Sequence, residues 1–481
     1  MQRFFKSHTI ASTAFVAGLP LFLLKAGRAE TADWVIRARY VVTMDSQHRI
    51  VEDGAVAIAG QRIVAVGPST EIGRKYQAQQ TLDRRESLVM PGFIDTHTHA
   101  AMSLFRAIAD DRLLQDWLTN YIFPAESKNV SPEFVKWGTR LACLEMSLAG
   151  ITTYTDMYYF EEMVAETTRV AGIRGVLGQT VIGFPAPDYK NWHDTIAATE
   201  QYIKRFQHDS LIVPAVAPHS IYTTPNDALV ASHNLAAKYH VPLVIHLSET
   251  KKEVDDAMAQ RHMTPTEVLD RLGVLDSRVV AAHGVWESDS DIEILKRKGT
   301  GIAHCPTSNT KLASGIAPIV KMLRAGVTLG FGTDGFAGSN DSADLMMEMS
   351  LAAKLQKVTN MDPQVLPAEQ VVELATMGGA RVLGLEKEIG SLEPGKRADL
   401  ITIALDRPNM IPLYNVYSQI VYTSKPGDVR DVFVNGKEIV SERRMLTLNS
   451  TEVLSAARDW KARIKKSIDT GSEPGASNKG R

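Results

Sequence analysis

Pro91-Gly92-Phe93-Ile94-Asp95-Thr96-His97-Thr98-His99 is the stretch on which the reading of this chain turns. Phe93 and Ile94 read as the end of a buried strand. Residues two apart on a strand face the same side, so His97 and His99 point together. Two imidazoles at that spacing can hold one metal ion, and neutral imidazole is the commonest nitrogen ligand for such ions. A His-x-His pair alone is equally a polar strand end. The rest of the chain decides between the two.

From Pro91 onward, short β-branched runs alternate with helical stretches. The runs are Gly92–His99, Ile151–Asp156, Ile173–Ile182, Leu211–His219, Val241–Glu249, Val279–His283, Gly301–Cys305 and Val327–Asp334. The clearest helix carries Phe134, Trp137, Leu141, Leu144 and Leu148 on one face. It is opened by Ser131-Pro132 and closed by Gly150. Further helices are expected at about 160–171, 225–239, 288–298 and 316–325. Eight β–α units over about 300 residues predict an α/β fold, a (β/α)8 TIM-type barrel over 91–389.

The flanks have a different rhythm. Residues 30–90 are strand-like, with Trp34–Ile36, Tyr40–Val42, Ala55–Ile58 and Ile63–Val66 separated by turn signals and no helix-period segment between them. The β pattern returns after about residue 390 in Ala398–Ile403, Gln419–Tyr422, Val432–Val434 and Ile439–Val440, with a hairpin signal at Asn435-Gly436. Residues 30–90 and 390–450 are therefore expected to form one small β-sandwich domain, split in sequence by the barrel. Residues 451–481 read as a helix near 451–468 and a Gly/Ser/Pro-rich disordered tail.

Residues 1–29 stand apart. Arg3 and Lys6 make a basic start, Ile10–Leu24 is a short apolar run, and Gly27 and Ala29 are small residues at the −3 and −1 positions of a cleavage site. This pattern predicts a signal peptide and export to the periplasm or beyond, with no stable membrane insertion after cleavage. An uncleaved anchor is the alternative, and the chain is cytoplasmic if the segment is not a functional signal. The 481 residues carry a formal net charge of −2 and no long run of one sign, which gives no sign of nucleic-acid binding. The two cysteines, Cys143 and Cys305, exclude a disulfide scaffold and a Cys-rich zinc module. Any metal must be held by histidine and carboxylate.

In a barrel of this kind the site lies at the C-terminal ends of the strands. The first run ends in His97 and His99, the fourth in His219, and the fifth in His246 with Glu249 just beyond. The sixth ends in His283 and the eighth in Asp334. Each histidine alone reads as a satisfied core residue, but their convergence on one rim does not. His97, His99, His246 and Asp334 supply three neutral nitrogens and one carboxylate for one divalent ion, zinc first, with iron or manganese suited to the same donors. A water held there becomes a nucleophile when the ion draws its pKa toward about 7. Asp334 can also accept that water's proton. Glu249, free of the ligand set, can carry a proton to a substrate ring or leaving group. His283 is placed to hydrogen-bond the oxygen under attack. His193, His208, His233, His240 and His262 fall on helices or loops and are expected in solvent. His304, beside Cys305 on the seventh run, is given a structural role.

Pro91–His99, His246-Leu-Ser-Glu249, Ala281-Ala-His283-Gly, His304–Pro318, Gly332-Thr-Asp334-Gly and Gly390–Asp399 together resemble the amidohydrolase superfamily. Within it they are most similar to the mononuclear metal aminohydrolases and chlorohydrolases, and there to the S-adenosylhomocysteine/5′-methylthioadenosine deaminases. The resemblance runs from about residue 33 to 450. It implies deamination of an amino-substituted heteroaromatic ring, an adenine nucleoside first, with guanine or pterin deamination and triazine chlorohydrolysis or aminohydrolysis as alternatives. It also implies a homo-oligomer. Asp116–Glu126 resembles the loop that meets the nucleoside, which implies Trp117 against the substrate and Glu126 accepting from ribose hydroxyls. Ala217–Tyr222 resembles the fourth-strand motif, which implies a further contact from His219. Where relatives of this type carry arginines for an amino-acid carboxylate, this chain offers Arg174, Gln179 and Lys190. A binuclear cyclic-amide hydrolase would need a bridging lysine at the end of the fourth run, which here is Pro218-His219. A binding protein without turnover would have no use for an intact Glu249.

Overall fold

The computed structural model describes residues 1–9 and 29–469. After Ala29 come four strands, β1 (Glu30–Val42), β2 (Ile50–Ala59), β3 (Arg62–Pro68) and β4 (Tyr76–Pro91). A short helix, Ser69–Lys75, stands before β4. It interrupts a stretch expected to be strand throughout, and its one buried residue, Ile72, leaves almost no apolar periodicity to read.

The barrel follows: β5 (Phe93–His99), β6 (Ile151–Tyr158), β7 (Arg174–Val181), β8 (Ile212–Pro218), β9 (Leu243–Leu247), β10 (Val279–His283), β11 (Gly301–His304), β12 (Leu329–Phe331) and β13 (Asp334–Gly335). Successive strands from β5 to β12 pair in parallel. β12 pairs with β11, and β13, beyond Gly332 and Thr333, pairs with β5 at Thr98 and His99. These two segments are one chain run serving both neighbours, and that run closes the cylinder. The interior is filled by Ile94, Met157, Val176, Ala215, Ala217, Val244, Val280, Ala282 and Ala303. Small side chains from successive strands fit the narrow axis. Helices Pro132–Leu148, Glu161–Ala171, Trp192–Phe206, Asn226–Tyr239, Lys251–Arg261, Asp289–Lys298, Ile319–Ala325 and Leu345–Thr359 stand between or after the strands.

The chain then returns with β14 (Leu400–Ala404), β15 (Val429–Val434), β16 (Lys437–Ser441) and β17 (Arg444–Met445). They extend the first four strands into one sheet in the order β17-β16-β15-β14-β4-β1-β2-β3. In a flat sheet β1 and β15 would be three spacings, roughly 14 Å, apart. The rings of Trp34 on β1 and Phe433 on β15 nevertheless meet edge-on at 5.2 Å, so the sheet is folded over on itself around Ile36, Val56, Ile58, Val89 and Leu400. Gln419–Tyr422, expected as a strand, is instead part of the helix Val416–Tyr422. The Asn415 side chain caps it by accepting from Ser418 N, and Val416, Tyr417, Ile420 and Val421 are buried at helical spacing.

Helix Ser450–Asp469 lies against Pro132–Leu148, where Trp460 meets Phe134 edge-on at 5.4 Å. The tail expected to be disordered and the apolar run of the expected signal peptide fall on residues 470–481 and 10–28, outside the described residues. Among the described residues no helix is long and apolar enough to cross a membrane.

Candidate metal centre and active site

The C-terminal ends of β5, β9, β10 and β13 bring five side chains together. Asp334 Oδ1 lies 3.4 Å from His97 Nε2 and 3.3 Å from His99 Nε2. His246 Nε2 lies 3.3 Å from His99 Nε2. His97, His99 and Asp334 form one group, and His97, His246 and His283 another, in which the donor atoms lie within 4.8 Å of one another. His99 and His246 are turned by their far nitrogens: Nδ1 of His99 donates to Met157 O at 2.7 Å, and Nδ1 of His246 to His219 O at 2.8 Å. That fixes the tautomer in which each Nε2 offers a lone pair to the shared space. Ser308 Oγ donates to Asp334 Oδ2 at 2.6 Å and leaves Oδ1 facing the histidines.

His97 is fully buried, and neither of its ring nitrogens has a hydrogen-bond partner among the described residues. Buried imidazole nitrogens are almost always paired, so a divalent ion bound by His97, His99, His246 and Asp334 fits this site. The electrostatics agree. Burial holds His97 down at about 4 and His246 well below the ordinary imidazole value, so both are neutral, as ligation requires. Burial alone would raise Asp334, but the imidazoles of His97 and His99 beside it outweigh burial and keep the carboxylate well below its usual range. His99 is the exception: burial lowers it, Asp334 outweighs burial, and it rises to about 9, so an ion taken up at its Nε2 displaces a proton there.

His283 stands beside this cluster by a local departure from alternation. Val280 and Ala282 face the barrel interior, so His283 would face outward on a regular strand. Its φ of 77° is left-handed and turns the ring into the site; Asp334, with φ 65°, does likewise. Nδ1 of His283 sits 3.0 Å from Asn309 Oδ1, and Nε2 lies 3.9 Å from Glu249 Oε2. Glu249 is 4% exposed, and burial pushes its carboxyl up.

Above the cluster is a pocket lined by His99, His219, His246, Glu249, His283 and Asp334 at one end and by Trp117, Glu126 and Tyr158 among others. Trp117 donates its indole N–H to Ala337 O at 2.8 Å, which leaves the ring as an apolar wall. Tyr158 Oη donates to Glu126 Oε1 at 2.7 Å, and burial raises the Glu126 carboxyl to about 7. His219 meets Thr223 Oγ1 at 2.9 Å, and burial lowers it to about 3.

Three partners went unread in the sequence: Met157 and Tyr158, because β6 runs on past Asp156, and Asn309, which meets His283 only through the fold. Arg174 is far from this end of the barrel. It opens β7 and forms a buried pair with Asp399 at 2.9 Å. Gln179 donates to Asp188, and Lys190 to Ala186 O. His304 is buried outside the cluster, and burial lowers it to about 3. His233, expected in solvent, pairs with Asp276 at 3.1 Å.

The amidohydrolase family model matches residues 88–439. A 5-methylthioadenosine/S-adenosylhomocysteine deaminase of Thermodesulfovibrio yellowstonii is 45% identical over 436 residues, 90% of this chain and 99% of that one. Its counterpart in Syntrophus aciditrophicus is 44% identical over 91% of this chain and 99% of its own. The solved structure of an adenosine deaminase from Xanthomonas campestris with bound zinc superposes with a TM-score of 0.90 at 36% identity, covering 91% of this chain and 100% of that one. Atrazine chlorohydrolase from Arthrobacter aurescens TC1, complexed with zinc, gives 0.83 at 26% identity, covering 89% and 100%.

Proposed function

Given that the chain belongs to the amidohydrolase family, we propose that it is a metal-dependent aminohydrolase that deaminates the ring of an adenine nucleoside of the adenosine, 5′-methylthioadenosine or S-adenosylhomocysteine type. The observation that carries this reading is a free, buried carboxyl, Glu249, opening on the same cavity as a cluster of three imidazoles and a carboxylate. The deaminase relatives and the zinc-containing neighbours support it. We assign one divalent ion per chain, zinc, to His97, His99, His246 and Asp334.

A divalent ion bound by these four residues would supply a water whose pKa is drawn toward about 7, a nucleophile for a ring carbon. Asp334, ionised and with Oδ1 facing the cluster, accepts the proton that the water gives up. His283 hydrogen-bonds the oxygen at the attacked carbon. Glu249 gives a proton to the ring nitrogen next to that carbon; as the added hydroxyl collapses to the carbonyl its proton passes through Glu249 to the exocyclic nitrogen, which departs as ammonia, and the proton held by Asp334 returns to Glu249. Its raised pKa suits a group that must hold a proton and release it. Trp117 lies along the purine or ribose, Glu126 accepts from ribose hydroxyls while Tyr158 holds it, and His219 adds a contact. An acid and a tyrosine set beside the ring pocket favour a nucleoside over a chlorotriazine, which offers no hydroxyls to accept from.

Ammonia and chloride release across purine nucleosides, guanine, pterins and triazines tests the reading. Ammonia from the adenine nucleosides is expected, with Glu249→Gln losing turnover by about 10²–10⁴ while keeping its metal. His283→Ala should also lose turnover with metal retained. Near-normal turnover by Glu249→Gln would assign the proton to another residue and overturn the mechanism.

A further inference from the structure

We infer that Glu253 is a positioning residue for Glu249. This rests on the role given to Glu249 above. Helix Lys251–Arg261 begins at Thr250, whose side chain accepts from Glu253 N at 3.2 Å. The same Thr/Ser-x-x-acid signature opens two other helices of this chain. At Thr264/Glu267 and at Ser288/Asp291 the acid reaches back to the N–H of the capping residue itself, in the usual reciprocal capping box. Glu253 does something else. Its carboxyl passes the Thr250 N–H and accepts from Glu249 N at 2.8 Å through Oε2 and from Ser248 N at 3.3 Å through Oε1.

Those two N–H groups belong to a turn that needs holding. Ser248 is left-handed, with φ 49°, a conformation that a residue with a side chain adopts at a cost. Its carbonyl is pinned from the other side, where Val285 N and Trp286 N both donate to it at 3.1 Å. Val285 and Trp286 follow His283 on the chain, so the Glu249 turn is fastened to the segment that carries the other group at the reacting centre. Glu253 supplies the second fastening. It is 7% exposed, and burial raises its carboxyl to about 8. A clamp behind an acid–base group matters because a small misplacement of that group costs rate.

Glu253→Gln is the informative variant. It keeps the shape and one accepting oxygen but turns an NH2 toward one of the two backbone donors. We expect kcat to fall by about tenfold or more with KM changed less than about threefold and metal content unchanged. In a Glu249→Gln background the same change should cost less than about twofold, because residues acting as a unit are not additive. Glu253→Ala should be worse than Glu253→Gln in the parent and equally silent in that background. A full tenfold loss in both backgrounds, loss of metal, an insoluble Glu253→Gln protein, or unchanged kcat would each overturn the positioning role. If Glu249→Gln itself keeps turnover, it is the assignment of Glu249 that fails.

Discussion

His246 has the most ring neighbours at the centre. Its ring stands 4.9 Å from that of His97, 5.3 Å from His99, 4.7 Å from His219 and 5.6 Å from His283. Its Nδ1 is held by a backbone carbonyl, so the ring cannot swing away to relieve a poor fit. His246→Ala removes one of three nitrogens and leaves His97, His99 and Asp334, three donors in place of four and a weaker hold on the ion. Elemental analysis after dialysis should show about one ion per chain in the parent and a small fraction of that in the variant. Two ions per chain, or undiminished metal after the substitution, would count against the donor set. These donors could be read in advance because each ends an apolar run, where a histidine or aspartate has no packing reason to be. The clamp at Glu253 could not, since Thr250-x-x-Glu253 has the same form in sequence as an ordinary capping box. Nor could the orphaned nitrogens of His97, because pairing is settled by residues distant along the chain.

At the scale of elements, the strands and the clearest helices were legible from their periods. Val416–Tyr422 was not, because a seven-residue helix of β-branched and aromatic residues has the composition of a strand. Its neighbour Leu345–Thr359 was passed over too. That helix aims Glu348 at the loops behind Asp334, where the carboxylate accepts from Thr307 N at 2.9 Å and Asn340 Nδ2 at 2.8 Å. Burial raises it to about 8 from its ordinary 4.5. The folded protein therefore keeps a proton that the unfolded chain has released between those values. Stability from this group is complete below the unfolded pKa and declines as pH rises toward 8, by up to about 1.4 kcal/mol per pH unit. Glu287, raised by burial to about 7, adds to the lower part of that window. Denaturant unfolding at pH 6, 7 and 8 should show this decline, and Glu348→Gln, which cannot titrate, should flatten it by about one proton. An unaltered slope in the variant would place the proton elsewhere.

For the molecule as a whole, the question is how a barrel interrupts a sandwich without loosening either. The returning β pattern announced the split domain, but not the join. Asp399 makes the join. Its carboxylate takes Arg174 from the start of β7 through both oxygens, at 2.9 and 3.2 Å, and accepts from Asn435 N at 2.6 Å in the turn after β15. Its carbonyl accepts from Gly92 N at 3.2 Å, one residue before β5 begins. One residue thus ties two sheets and the chain entry to the barrel. Both members of the ion pair are buried. Removing one partner strands the other charge out of water, at a cost of about 3–5 kcal/mol, whereas replacing both with apolar residues of similar volume costs much less. Asp399→Asn should therefore lower the unfolding free energy from urea titration by an amount of that order, and the midpoint with it. Asp399→Leu combined with Arg174→Met should recover part of it, the two effects being non-additive for residues in contact. Because the pair lies at the N-terminal end of the barrel and the site at the other, the folded fraction of Asp399→Asn should keep kcat within about threefold. A midpoint equal to the parent's would mean that water reaches Arg174 and that the two domains hold together by apolar packing alone.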